Sequence, residues 1–206
     1  MIATHDLPTC NLPPATFMRV IAGTAKGRTL LSVPGDSTRP IADRVKSALF
    51  SILESQNAIQ GSRWLDLFGG TGAVGIEALS RNAAHVVFVE KDGRAVQVIG
   101  QNLRSTGLGE SGRSHVVRGD AFGYLARPEL GTFDVIYIAP PQYLGLWKKA
   151  LLAVDSRPEV LAENGQAIVQ IFPKEYEPDL VLSNLVCSDD RQYGSTRLLF
   201  FEFRSE

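Results

Sequence analysis

The stretch whose reading decides the fold is Trp64-Leu-Asp-Leu-Phe-Gly-Gly-Thr-Gly-Ala-Val-Gly-Ile-Glu-Ala-Leu-Ser80. Residues 64–68 read as a short apolar strand with Asp66 inside it, and the chain then breaks into glycine. It resumes as a helix whose apolar stripe is Val74, Ile76, Ala78 and Leu79. Glycine lets the backbone take positive φ and approach a ligand closely. A helix start behind it aims unpaired N–H groups and a partial positive charge at the loop. Strand, glycine turn and helix N-terminus together make a nucleotide-type site. Gly70-Thr-Gly-Ala-Val-Gly75 also matches the dinucleotide fingerprint, a weak signal alone, which calls for an acidic residue roughly 20 positions on. Glu90, closing His85-Val-Val-Phe-Val-Glu90, meets that demand. A nucleoside-containing ligand is therefore expected, against the plainer reading of a tight strand-to-helix turn. The stretch does not say which nucleoside.

Working outward, a chain of 206 residues, 44% hydrophobic and 21% charged, suits one globular domain, with room for an appendage. A net charge of −1 gives no global sign of a nucleic-acid partner, so such a partner would need a local patch. Cys10 and Cys187 have no metal-like spacing and His5, His85 and His115 are scattered, so no disulfide framework and no metal are expected. No apolar run approaches the roughly 18 residues needed to cross a membrane. Residues 1–17 hold three prolines and no Lys or Arg, lack a signal-type apolar core, and are expected to be disordered. A cytoplasmic monomer is the expectation. Met18 reads as an alternative translation start.

Residues 18–33 read as two short strands around a basic Ala-Lys-Gly-Arg turn, and residues 41–53 as a helix. Arg19, Lys26, Arg28, Arg39, Arg44 and Lys46 crowd this segment, opposed only by Asp36 and Asp43. Such residues on a hairpin and loop grip phosphates, unless they merely form a solvated face. From residue 64 onward strands and helices alternate. Helices are expected at 94–103 and 146–152, and strands at 85–90, 114–118, 133–138 and 166–172. Two more strands, 180–186 and 197–203, follow with only a loop between them. The pattern predicts a doubly wound α/β fold: a mainly parallel seven-stranded sheet with an antiparallel C-terminal hairpin and a small N-terminal hairpin. The divisions are 1–17, 18–53 and 54–206.

Open α/β sheets bind ligands beyond the carboxyl ends of their strands. Asp66 lies in the first strand, Glu90 ends the second, Asp120 follows the third, and Ala139-Pro-Pro-Gln-Tyr143 follows the fourth. Asp120 also suits a helix N-cap before residues 121–125. Pro140 and Pro141 fix φ twice and supply no N–H, so this loop is rigid, and Tyr143 on it offers a ring to a planar base.

Asp66-Leu-Phe-Gly-Gly-Thr-Gly72, Glu90, Asp120 and Pro140-Pro-Gln-Tyr143 together resemble a class I S-adenosylmethionine-dependent methyltransferase. More narrowly, the chain resembles the RsmD-type family, which methylates a guanine exocyclic amine in small-subunit (16S) ribosomal RNA. The further matching pieces are Met18-Arg-Val-Ile-Ala-Gly23, Lys26-Gly-Arg-Thr-Leu30, Arg39-Pro40, Asp43-Arg44-Val45, Leu49-Phe50, Gly75-Ile-Glu-Ala-Leu-Ser-Arg81 and Tyr193-Gly194. The resemblance implies that Asp66, Phe68, Gly69, Gly70, Thr71 and Gly72 hold the methionine part of the cofactor. It implies Glu90, with Lys91 beside it, for the ribose, and Asp120 with Ala121 for the adenine amine. Residues 139–141 and Tyr143 would form the catalytic loop. Arg19, Lys26, Arg28, Arg39, Asp43, Arg44 and Gln142 would face the substrate, ribosomal RNA or a small-subunit particle.

One departure matters: the family usually carries Asp, or Asn in related enzymes, where this chain has Ala139. That oxygen accepts a hydrogen bond from the target amine and keeps the nitrogen lone pair aimed at the methyl. The Pro140 carbonyl or the Gln142 side chain remains to accept it. Loss of such a bond costs about 2–4 kcal/mol. A cofactor-binding RNA-contact protein without catalysis, amine methylation of DNA or a protein glutamine, and a nicotinamide oxidoreductase are the alternatives left open.

Overall fold

The computed structural model describes residues 18–34, 41–110 and 112–204. The stretch 1–17 expected to be disordered lies outside the described residues. Strands β1 (Met18–Arg19) and β2 (Thr29–Leu30) pair antiparallel, and helix α1 (Asp43–Ser55) follows. The main sheet takes β3 (Arg63–Asp66), β4 (His85–Glu90), β5 (Ser114–Arg118), β6 (Phe133–Ile138), β7 (Leu161–Ile171), β8 (Leu185–Tyr193) and β9 (Thr196–Phe203). Their order across the sheet is β5-β4-β3-β6-β7-β9-β8, parallel as far as β7 and antiparallel at β9 and β8. Helices α2 (Ala73–Ser80), α3 (Gly93–Thr106), α4 (Ala121–Leu125) and α5 (Leu146–Asp155) lie between strands.

Alternation along each strand divides the core into two layers. On one face Trp64, Phe88, Val135, Tyr137, Ile168 and Phe200 meet α1, α2, α3 and the N-terminal hairpin. On the other, Leu65, Val89, Ile136, Ile138, Val169 and Phe201 meet α4 and α5. β3 and β6 are apolar on both faces because helices cover both. Gly75 lets α2 lie close on β4: a Cβ there would fall 2.3 Å from the ring of buried Phe88. Phe50 of α1 stacks on Trp64 of β3 at 5.6 Å and 8°.

The hairpin is docked on α2 through polar groups. Glu77, fully buried, accepts from the backbone N–H of Ile21 (2.7 Å) and Ala22 (2.9 Å) and from Arg81 Nε (2.8 Å). Lys46 lies 3.5 Å from the same carboxylate and donates to the Arg19 carbonyl. Lys46 is therefore a buried fastening, which corrects its place among the basic residues available to a partner. Gly23 lets the turn touch α2, since a Cβ there would fall 1.9 Å from the Ser80 carbonyl oxygen.

The C-terminal hairpin is antiparallel as expected, but its first strand is displaced. β8 covers 185–193, most of which reads as loop in the sequence, whereas residues 180–184 are not strand. The cause is Asp155, buried at the end of α5. Its carboxylate accepts from the backbone N–H groups of Ser183, Asn184 and Leu185, each at 2.8 Å, removing donors that a strand would need. The polar run Ser188-Asp-Asp-Arg-Gln192 then forms an edge strand whose charges discourage pairing with another chain. β7 also begins earlier than expected, at Leu161.

Candidate active site

The carboxyl ends of β3, β4, β5 and β6 surround a cavity of about 530 Å³. That size and its mixed lining suit a small-molecule cofactor. Asp66 lies in its wall, only 2% exposed. Burial raises its carboxyl to about 8, an effect the Gly75 backbone N–H opposes and the Glu90 charge reinforces. Glu90 holds the glycine loop in place. Its two oxygens accept from the N–H of Gly70 and of Asp92, both at 2.8 Å. Asn102, on α3, donates to the Thr71 carbonyl at 2.9 Å and exchanges hydrogen bonds with the Leu31 backbone, tying the loop to the segment after β2.

Asp120 is the N-cap of α4, and Oδ1 accepts from Phe122 and Gly123 at 3.0 Å each. Both bonds use the same oxygen, and the residue is exposed at the rim, so capping and ligand contact are compatible. Phe68 and Phe122 meet edge to face at 6.4 Å and form an aromatic wall. The cavity thus holds Asp66, Phe68, Gly69, Gly70, Thr71, Glu90, Lys91, Asp120 and Ala121 together. Gly72 is not in its lining; with φ of 77° it starts α2 instead.

Ala139, Pro140, Pro141, Gln142 and Tyr143 line the same cavity. Tyr143 is 67% exposed and takes a φ of 64°, a conformation bulky residues rarely adopt. Two contacts hold it: its N–H donates to Glu175 at 2.7 Å, and its ring leans on Phe172 with centroids 5.7 Å apart. None of Arg19, Lys26, Arg28, Asp43 and Arg44 lines the cavity, although Ile41, just before α1, does. Arg19 and Asp43 pair with each other at 3.1 Å on the surface. Lys26, Arg28 and Arg44 are exposed, and Arg39 lies outside the described residues.

Tyr137 and Gln170 also line the cavity, and the sequence reading passed over both. The hydroxyl of Tyr137 donates to Gln170 Oε1 at 2.6 Å. A glutamine near the end of an otherwise apolar buried strand was the available signal. Among the described residues no group of three or more His, Cys, Asp or Glu is placed to hold a metal, and no helix is long and apolar enough to cross a membrane.

A seven-stranded sheet of this order, with Asp66, a glycine loop, Glu90 and Asp120 delivered to one cavity by successive strand ends, is that of a class I S-adenosylmethionine-dependent methyltransferase. The profile of the family described as conserved hypothetical protein 95 matches residues 18–202, and the chain belongs to that family. It is similar to YlbH of Bacillus subtilis, 38% identical over 190 residues, 91% of this chain and 100% of that protein. It is also similar to ribosomal RNA small subunit methyltransferase D of Haemophilus influenzae, 35% identical over 182 residues, 86% and 89% of the two chains. The solved structure of YhhF from Escherichia coli superimposes with a TM-score of 0.77 at 28% identity, covering 92% of this chain and 99% of that one.

Proposed function

We propose that this chain transfers a methyl group from S-adenosylmethionine to the exocyclic N2 amine of a guanine in small-subunit ribosomal RNA. The observation that carries this reading is one cavity lined both by Asp66, Glu90 and Asp120 and by the 139–143 loop. The named function of the Haemophilus relative supports ribosomal RNA as the substrate class.

The residues present fit the cofactor. Asp66, ionised, balances an ammonium in a wall that excludes water. Glu90 offers its remaining lone pairs to ribose hydroxyls while it fixes the loop. Asp120 keeps Oδ2 for the adenine amine, and Phe68 and Phe122 flank the ring. When bound, the cofactor supplies a methyl already activated by its sulfonium. The protein's task is then alignment, which converts the encounter into an oriented in-line displacement. With the cofactor bound, the amine would take the methyl as the carbon–sulfur electron pair departs with sulfur, and Asp66 and the 139–143 loop would hold the two in line. The proton released from nitrogen goes to water at the open mouth. Tyr143, exposed and fastened from below, offers its ring to a base withdrawn from its stack. Lys26, Arg28 and Arg44, exposed and outside the cavity lining, would meet backbone phosphates.

Ala139 favours a second reading, a cofactor-binding RNA-contact protein without transferase activity. Labelled methyl groups offered with small-subunit RNA, assembled particles, duplex DNA and protein separate the cases. Label in RNA or particles alone is the expected result. Label in DNA or protein moves the substrate class, and cofactor binding without transfer to any acceptor favours the second reading.

A further inference from the structure

We propose that the Tyr137 hydroxyl, oriented by Gln170, accepts the hydrogen bond from the target amine that a side chain at position 139 would otherwise accept. The inference rests on the transferase reading above. Ala139 has no polar side-chain atom, so the acceptor has to come from a neighbour. Strand alternation puts Tyr137 and Ala139 on the same face of β6, and both pack against the same core layer. Along the parallel pair β6–β7, Ile138 lies beside Val169. Gln170 follows Val169 on β7, and Ala139 is the first residue beyond the end of β6.

The Tyr137 hydroxyl donates to Gln170 Oε1 at 2.6 Å, which sets the phenol oxygen beside the Gln170 side chain. All three residues line the cavity. The amide oxygen can only accept, so the hydroxyl spends its one proton on Gln170 and turns two lone pairs toward other donors. Burial, reinforced by the Asp66 charge, holds the phenol well above its ordinary range, so it stays neutral at the pH of the reaction. Tyr137 is almost wholly buried, so the amine meets its oxygen at the cavity wall, where Ala139 adds no more than a methyl group. An acceptor of this kind restrains the amine without adding a second buried charge beside Asp66.

The test compares the wild-type chain, Y137F and Y137F/Q170L, each with and without A139D. The double variant removes both partners together and leaves no orphaned amide. Methyl transfer to RNA gives kcat and KM, and titration with S-adenosylhomocysteine reports the integrity of the cofactor site. Loss of the hydroxyl is expected to lower kcat about tenfold or more, with KM and S-adenosylhomocysteine affinity within about twofold. In the A139D background the same loss is expected to cost less than about twofold, because the new carboxylate accepts the bond. Undiminished kcat in both hydroxyl-free variants overturns the proposal. So does an equal loss in the two backgrounds, which makes the pair purely structural. A wild-type chain that binds S-adenosylhomocysteine but methylates no RNA overturns the transferase reading itself.

Discussion

At the scale of single residues, Asp66 is the group with most at stake. Burial raises its carboxyl to about 8, so the folded, ligand-free protein holds a proton there that the unfolded chain has lost. For a carboxyl whose folded value is raised, stability falls as pH rises from the unfolded value near 4 through about 8. Asp66→Asn is therefore expected to be more stable than the wild type at pH 8 by on the order of a few kcal/mol, with little difference at pH 4; denaturant melts at both values check this. A ligand bringing an ammonium to Asp66 requires the ionised form. Cofactor binding at pH 7 should thus release about one proton, and affinity should climb between pH 6 and 8. Calorimetry in buffers of different ionisation enthalpy measures the proton directly, and no release would place the cation elsewhere. Asp66 was legible in the sequence because an acid inside an apolar strand, just before glycines, has few other uses. Tyr137 was not, because a tyrosine in such a strand reads as core until its hydroxyl's partner is known.

At the scale of elements, the N-terminal hairpin depends on α2 more than its sequence suggests. Glu77 gathers two backbone N–H groups, Arg81 and Lys46. Glu77→Ala would strand the buried Lys46 and is expected to cost about 3–5 kcal/mol, lowering Tm by roughly 10 °C. Faster proteolysis between residues 18 and 30 should accompany it. Gly75→Ala should cost about 1–3 kcal/mol or more by forcing a methyl into Phe88, read from the same melts. β4 and β6 were readable because they are nearly continuous apolar runs. β8 was not, for two physical reasons: an edge strand needs only one good face, and Asp155 captures three backbone donors from the apolar segment that looked like the strand. Lys46 misled in the same way, since a lysine's position on a helix does not reveal that the hairpin covers it.

At the scale of the whole molecule, a net charge of −1 leaves RNA binding to local charge. Lys26 and Arg28 occupy the exposed turn of the hairpin, away from the cavity. Lys26→Glu with Arg28→Glu is expected to weaken RNA binding by about tenfold or more at low salt and to flatten its salt dependence. Cofactor affinity should stay unchanged, and a fluorescence titration against salt separates the two effects. On the proposed reading the parts divide the labour: the hairpin would grip phosphates, successive strand ends would hold the cofactor, and the 139–143 loop would receive a base. The measurement that tests this division most directly is mass spectrometry of nucleosides from small-subunit RNA methylated by the purified protein. N2-methylguanosine as the single new product is the expected result. A methyl group on a ring nitrogen, on ribose, or on no nucleoside would contradict it.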